Sequence, residues 1–454
     1  MTCFKLRTSF LSAAVLAQAF LATGCDAIRP APDAERHGLE VAVFEGGYGI
    51  GWHRSVAEAF EAETGMPVDL WGDPRLDDKL KPRLLRGDPP DVILSHYLPL
   101  WLLIASGAAH PLNEALAVPA PGSDVAWGEA FFPGMLDSYS SGGTVYAVPS
   151  AFGAWMGWYD ARMFRKHGWE PPETWDEFLA LCREIKAAGI APLTFQGRYP
   201  IYGWWTFGLL LHRCGGTDLI NRLNALEPGA FEDPEAVRAA RLLQELALEH
   251  FQPGALAMTH TESQLQFVNG RAAMVFCGVW LENEMRASIP PDFELRAFNM
   301  PAVPHGRGHP AAVLGEGTEF LFVPADAPHP EEAAAFCRFM VSPERAESLA
   351  RDIGVISPLA GATPRDAVSP ALGSVLDTVD QASGIFALRH RTLLPRWANQ
   401  VLVPQMGALL EGRVTPEAFC AALERGIREI VADPDVIVPP AVAYDPAALG
   451  EAPN

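Results

Sequence analysis

From residue 39 onward, short apolar runs alternate with amphipathic stretches in a regular order. Leu39 to Phe44 is apolar apart from Glu40, the length and texture of a buried strand. Trp52, Val56, Ala59 and Phe60 then recur at helical spacing, and Gly65 closes the helix they predict. Val68 to Trp71 reads as a second strand. Leu76, Leu80 and Leu84 mark a second helix that stops at Gly87, and Asp91 to Leu94 is a third, buried strand. A β-α-β-α-β order joins its strands by crossovers, which make neighbours parallel, so this stretch predicts an α/β lobe with a mainly parallel sheet.

A second unit begins near Tyr146. Thr174 and Glu177 open a helix running to Ala188, at the spacing where each side chain caps the other's backbone N–H. Asp233 and Pro234 start a helix through Arg238 and Leu246, Pro330 starts one ending at Met340, and a last helix runs from Pro416 to Val431. No internal repeat is present.

The first 25 residues follow a different logic. Lys5 and Arg7 precede an apolar stretch from Phe10 to Ala22, too short for the ~20 residues that span a bilayer, so it reads as a signal peptide. It ends in LATGCDA, which resembles a bacterial lipoprotein box. That resemblance implies cleavage after residue 24, lipid on Cys25, and, with Asp26 next, retention at the inner membrane. Residues 25–38 are Pro- and Ala-rich and suit a flexible tether. Cys3 leaves with the signal, and the remaining Cys182, Cys214, Cys277, Cys337 and Cys420 contain no C-x-x-C pair. Cys182 and Cys337 fall on apolar helical stripes and are expected to be inert core thiols.

With 49% hydrophobic and 20% charged residues, the 454-residue chain can bury large cores in two or more units. Its net charge of −21 and the lack of a basic run exclude nucleic acid as a partner. The Gly-rich turn Gly46 to Gly51 follows a strand, but neither Gly-x-Gly-x-x-Gly nor Gly-Lys-Ser/Thr occurs there, so it reads as a ligand-facing loop or a tight turn. His305 and His309 are separated by Gly306 and Gly308 and flanked by prolines, so no helix presents them together to a metal. No H-E-x-x-H or G-x-S-x-G is present. Glu316 and Glu319 could be a glycosidase pair, which only their separation in space decides.

Aromatic residues point further. Tyr199, Tyr202, Trp204 and Trp205 crowd around Pro200 and Gly203, while Trp280 follows Gly278 and precedes Glu282, Asn283 and Glu284. An aromatic face covers the C–H side of a pyranose, and carboxylates and amides take its hydroxyls. Each tryptophan alone suits core packing, but two clusters flanked by Glu and Asn favour a sugar site.

Several runs also carry a family likeness: PPDVIL (89–94), YAVPSAFGAWMGWYD (146–160), MFRKHGWEPPETWDEFLALCREIKAAGIAPL (163–193) and FVNGRAAMVFCGVW (267–280). In these the chain resembles a family 1 extracellular solute-binding protein of carbohydrate ABC transporters, the maltose-binding protein type. GGYGIG (46–51), HTESQLQF (260–267) and WLENEM (280–285) look closest to N-acetylglucosamine- and chitobiose-binding members, while Asp160 stands where many relatives have Asn. The resemblance implies a type II periplasmic binding protein fold, α/β, with two lobes joined by crossovers near Val148, Ala297 to Met300 and Ala325. Lobe one would comprise 39–147 and 300–326, and lobe two 148–299 and 327–454. It implies a monomeric, non-enzymatic, cofactor- and metal-free lipoprotein held at the outer face of the cytoplasmic membrane. Such a protein passes a carbohydrate to ABC permease subunits; a secreted glycoside hydrolase is the rival reading. The expected ligand-binding residues are Glu45, Tyr48, His96, Tyr202, Trp204, Trp205, Trp280, Glu282, Asn283, Glu316 and Glu319. An acetamido sugar would set its N–H on Glu282, its carbonyl on Asn283 or His96, and its methyl on Tyr202 or Trp205.

Overall fold

The computed structural model describes residues 37–46, 49–96, 98–438 and 443–451. The expected signal peptide, Cys25, nearly all of the tether and Tyr48 lie outside the described residues. Two sheets organise the rest. In the first, Leu39–Phe44 lies between Val68–Asp73 and Val92–Ser95, parallel to both, as the alternating pattern requires. Phe320–Phe322 and Ala147–Pro149 complete that sheet, antiparallel to their neighbours. In the second, the nine-residue strand Phe152–Asp160 runs antiparallel to Val313–Gly317, Ala272–Gly278 and Leu295–Phe298. Ala191–Thr194 and Ile385–Phe386 are added parallel at its flanks.

The link between the sheets positions everything that follows. Ala147–Pro149 pairs with Phe320–Phe322 in the first sheet, and Phe152 pairs with Gly317 in the second. Between them Ser150 N donates to the Glu319 carbonyl (2.9 Å) and Thr318 N to the Ala151 carbonyl (3.1 Å). The two crossing segments therefore form one uninterrupted antiparallel ladder from sheet to sheet. A third segment joins it where Phe152 N donates to the Ile356 carbonyl at 2.8 Å.

This packing redraws the expected lobe boundaries. The chain returns to the first sheet at Gly317–Phe320, not at Ala297 to Met300, because Ala297 and Phe298 are paired with Trp158 and Gly157 in the second. It does not leave again near Ala325, since the helix Pro330–Met340 sets Phe336 and Phe339 edge-on to Phe60, and the Val341 carbonyl accepts from Trp127 Nε1 at 2.7 Å. The crossing follows Ile356, and by Ser374, which accepts from Ala297 N at 2.8 Å, the chain lies on the second sheet.

Local signals read from the sequence are realised physically. Thr174 and Glu177 form the reciprocal capping box of the helix Trp175–Ala187. Asp160, the departure from the family pattern, is buried and accepts from Arg162 N and Glu294 N at 3.0 Å each, capping the helix Ala161–His167. The His305–His309 loop wraps the fully buried Arg213, whose guanidinium donates to the carbonyls of Met300, His309, Pro310 and Ala312. Among the described residues no His, Cys, Asp and Glu group could hold a metal, and no helix is long and apolar enough to cross a membrane. Cys182 and Cys337 are buried free thiols, each pushed up to about 12 by burial.

The capping box gives a direct stability test. Thr174→Ala leaves a helix N–H without its acceptor and should cost about 1 kcal/mol. Urea unfolding should show a lower midpoint with an unchanged slope; an unchanged midpoint would remove the box from the helix's stabilisation.

Candidate functional site

Alternation along Phe152–Asp160 places Gly153, Trp155 and Gly157 on one face of the second sheet. Its neighbours on that face of the strand are glycines, over which Phe298 and Thr318 pack, and the Trp155 ring becomes a platform. Trp205 stacks on it at 5.3 Å and 20°, Tyr202 at 6.1 Å and 26°, and Trp280 leans in at 6.1 Å and 54°. Trp155 is itself only 2% exposed and is locked by Nε1 donating to Thr206 Oγ1 at 3.0 Å, so Trp205, Tyr202 and Trp280 present the partly open surface. Trp280 folds back over the Cα of Gly278, where a Cβ would stand 2.1 Å from the indole.

The crossover ladder supplies the polar wall. Trp205 Nε1 donates to Glu316 Oε1 at 3.1 Å, tying the aromatic cluster to the strand Val313–Gly317. The Arg391 guanidinium lies 5.0 Å from the Trp205 ring centroid, a cation–π contact. From the first sheet, His96 follows the strand Val92–Ser95 and its Nδ1 meets the Thr318 carbonyl at 2.6 Å. Since a carbonyl only accepts, Nδ1 carries the proton. Burial pushes the His96 pKa down, the Thr318 bond works against that, and the Arg391 charge adds to it.

Glu319 sits where the ladder crosses. Burial pushes its carboxyl from 4.5 up to about 7, against a hydrogen bond with Ser150. It lines a small cavity with Phe44, Trp52, His53, Ser150 and Thr318. His53 is 5% exposed, its Nδ1 has no hydrogen-bond partner, and burial lowers its pKa to about 4. The aromatic surface thus has Glu316 and the Arg391 guanidinium beside it, a set suited to hydroxyls and amides. The Glu319 carboxyl, raised toward its neutral form, lines the small cavity further along the ladder.

Of the residues expected from sequence, the structure gathers Tyr202, Trp205, Trp280 and Glu316 into one cluster, and His96 and Glu319 onto the adjoining ladder. Glu45 is exposed at the end of the first strand. Trp204 is corrected: it is 1% exposed and packs against Phe231, His390 and Trp397 in the core. Successive helix positions point about 100° apart, so the helix that turns Trp205 to the cluster turns Trp204 away. Glu282 and Asn283 are also corrected. Glu282 Oε2 accepts from Ser369 Oγ at 2.5 Å, and Asn283 Nδ2 donates to the Ile353 carbonyl. Both tie the short helix Leu281–Met285 to the 353–369 segment instead of facing the cluster. Sequence reasoning missed Trp155 and Arg391. A tryptophan between two glycines at strand spacing was the available signal for the first; nothing local marks the second.

Residues 48–347 match the family described as bacterial extracellular solute-binding protein. The chain belongs to this family. This solute-binding protein is 25% identical over 342 residues to the diacetylchitobiose binding protein NgcE of Streptomyces coelicolor, covering 72% of this chain and 71% of that one. It is 24% identical to the multiple sugar-binding protein of Streptococcus mutans, covering 64% of this chain and 67% of the relative. Among solved structures, a chitin oligosaccharide binding protein superposes with a TM-score of 0.71 at 19% identity, covering 88% of this chain and all (100%) of that one. The GacH receptor of Streptomyces glaucescens, solved unliganded and with acarbose, gives 0.69 at 21% identity and covers 88% of this chain and 100% of its own. These likenesses show the fold: type II periplasmic binding protein, two α/β lobes joined by crossovers.

Glu319 should make the solute-binding protein's stability depend on pH. Its folded pKa of about 7 lies above the ordinary 4.5, so its contribution is complete below 4.5 and is lost as pH rises through 7. In thermal melts from pH 4.5 to 8, Glu319→Gln should flatten that fall and be the more stable protein at pH 8. A variant whose pH profile parallels wild type would show that Glu319 is not perturbed.

Proposed function

We propose that this protein captures a mono- or oligosaccharide against the Trp205–Tyr202–Trp280 surface and passes it to an ABC permease, without catalysing a reaction. The observation that carries the reading is the aromatic surface bonded through Trp205 to Glu316 on the ladder between the two sheets. A surface anchored at the crossing of two lobes can hold a sugar ring while the lobes close by hinge motion. We further propose a monomer anchored through lipid on Cys25 at the outer face of the cytoplasmic membrane.

An acetamido sugar, as in chitobiose, fits this wall with different partners from those first expected. Glu316 can accept the amide N–H, neutral Glu319 can donate to the carbonyl, and Tyr202 or Trp280 can cover the methyl. The names of NgcE and of the chitin oligosaccharide binding protein support the same class. In calorimetry chitobiose should bind more tightly than cellobiose, and Trp280→Ala should weaken binding by roughly 1–3 kcal/mol through lost apolar contact and stacking. Cellobiose binding as tightly as chitobiose would end the acetamido reading, and no saccharide binding at all would end the transport reading.

One observation favours the rival hydrolase: Glu319 has a raised pKa, as a glycosidase acid does, and Glu316 lies three residues earlier on the same ladder. Prolonged incubation with chito-oligosaccharides should release no shorter products; release would exchange transport for hydrolysis.

The anchor has its own test. Cys25→Ser in the native host should move the protein from the membrane fraction to the soluble periplasm. Unchanged membrane association would place the anchor elsewhere.

A further inference from the structure

Two guanidinium groups, one over the Trp205 ring and one near Tyr139 at the crossing, lack an ion-pair partner among the described residues. Arg391 is partly buried over the Trp205 ring, and among the described residues no carboxylate lies within 4.0 Å of it. Arg389, two residues earlier, is 5% exposed, and its Nε and Nη2 have no hydrogen-bond partner. It lies 5.5 Å over the Trp101 ring, and burial pushes its pKa below the usual arginine range. Asp137, Tyr139 and Tyr444 face it electrostatically, but Asp137 makes no ion pair with it, and burial raises the Asp137 pKa. Tyr139 donates to the Gly317 carbonyl at 3.4 Å, so Arg389 belongs to the same crossing as Glu316 and Thr318.

A buried guanidinium without an acceptor is costly, and its planar fork matches a carboxylate better than any hydroxyl. Glu316, the acidic group of the cluster, already accepts from Trp205. We propose that the saccharide site of the preceding reading, on which this inference rests, continues into a subsite for a sugar carboxylate. Arg391 holds that carboxylate directly and Arg389 supports it from behind. The ligand class is then an oligosaccharide with a hexuronic acid ring beside its neutral or acetamido ring. The chain's net charge of −21 does not oppose this at short range, since charges beyond about 8 Å are screened at physiological salt.

Calorimetry on the full chain tests it with two matched probes: the disaccharide of glucuronic acid and N-acetylglucosamine, and its carboxyl-reduced counterpart, with CH₂OH in place of the carboxylate. The acidic probe should bind at least about tenfold more tightly, with an advantage that shrinks as salt rises. Arg391→Gln should erase the advantage, weakening the acidic probe far more than the reduced one. Arg389→Met should fold without loss of thermal stability and also reduce the advantage. Equal or tighter binding of the reduced probe, which would make Asp137 the partner of Arg389 on closure, overturns the inference. If chitobiose and the reduced probe bind while the acidic one does not, the carboxylate subsite falls and saccharide capture stands. If no saccharide binds, the reading beneath it falls as well.

Discussion

The antiparallel ladder that runs from one sheet to the other sets the terms for the whole molecule. Two crossing segments paired from Ala147 and Phe322 to Ala154 and Gly315 cannot slide independently, because a one-residue slip would turn every side chain to the opposite face. The register therefore fixes which residues stand at the boundary. Glu316 opposite Gly153, Thr318 opposite Ala151 and Glu319 opposite Ser150 are rungs of a single ladder, and Trp155 lies two residues beyond Gly153 on the same strand. Gly153 is required there, since a Cβ on it would stand 2.4 Å from Thr318 Cγ2.

From that ladder the site is assembled by contacts that each need the one before. Trp155 is held by Thr206, Trp205 is held by Trp155 and Glu316, and Arg391 rests on Trp205. His96 reaches the same place from the first sheet through the Thr318 carbonyl. Burial then tunes the chemistry: Glu319 moves toward its neutral form and His96 is held away from its charged one. The arrangement is stiff in its aromatic half and electrostatically unfinished in its polar half, which suits a receptor completed by its ligand.

The sequence made the three parallel strands of the first sheet readable because they and their helices follow one another locally, whereas its two antiparallel strands, Ala147–Pro149 and Phe320–Phe322, come from distant segments and were not foreseen. The later boundaries were less readable for a physical reason. The helix Pro330–Met340 looks like any amphipathic helix, and only Phe60, hundreds of residues away, reveals which core takes it. The same holds in the site. Tyr202, Trp205 and Trp280 were visible as aromatics among helix breakers, but Trp204 and Trp205 cannot be told apart until the helix's rotation is known. Glu282 and Asn283 looked available because their partners, Ser369 and the Ile353 carbonyl, lie far along the chain. Arg391 had no local signature at all, since its meaning comes from the ring beneath it.

Whether a saccharide lies against the aromatic surface at the crossover ladder is tested most directly by a crystal structure grown with saturating chitobiose. A sugar ring should pack within about 4 Å of the Trp280 or Tyr202 ring, the normal distance of apolar contact, with polar atoms on Glu316 and the 318–319 crossing. Sugar density away from this ladder, or an aromatic surface left bare while sugar is bound elsewhere, would contradict it.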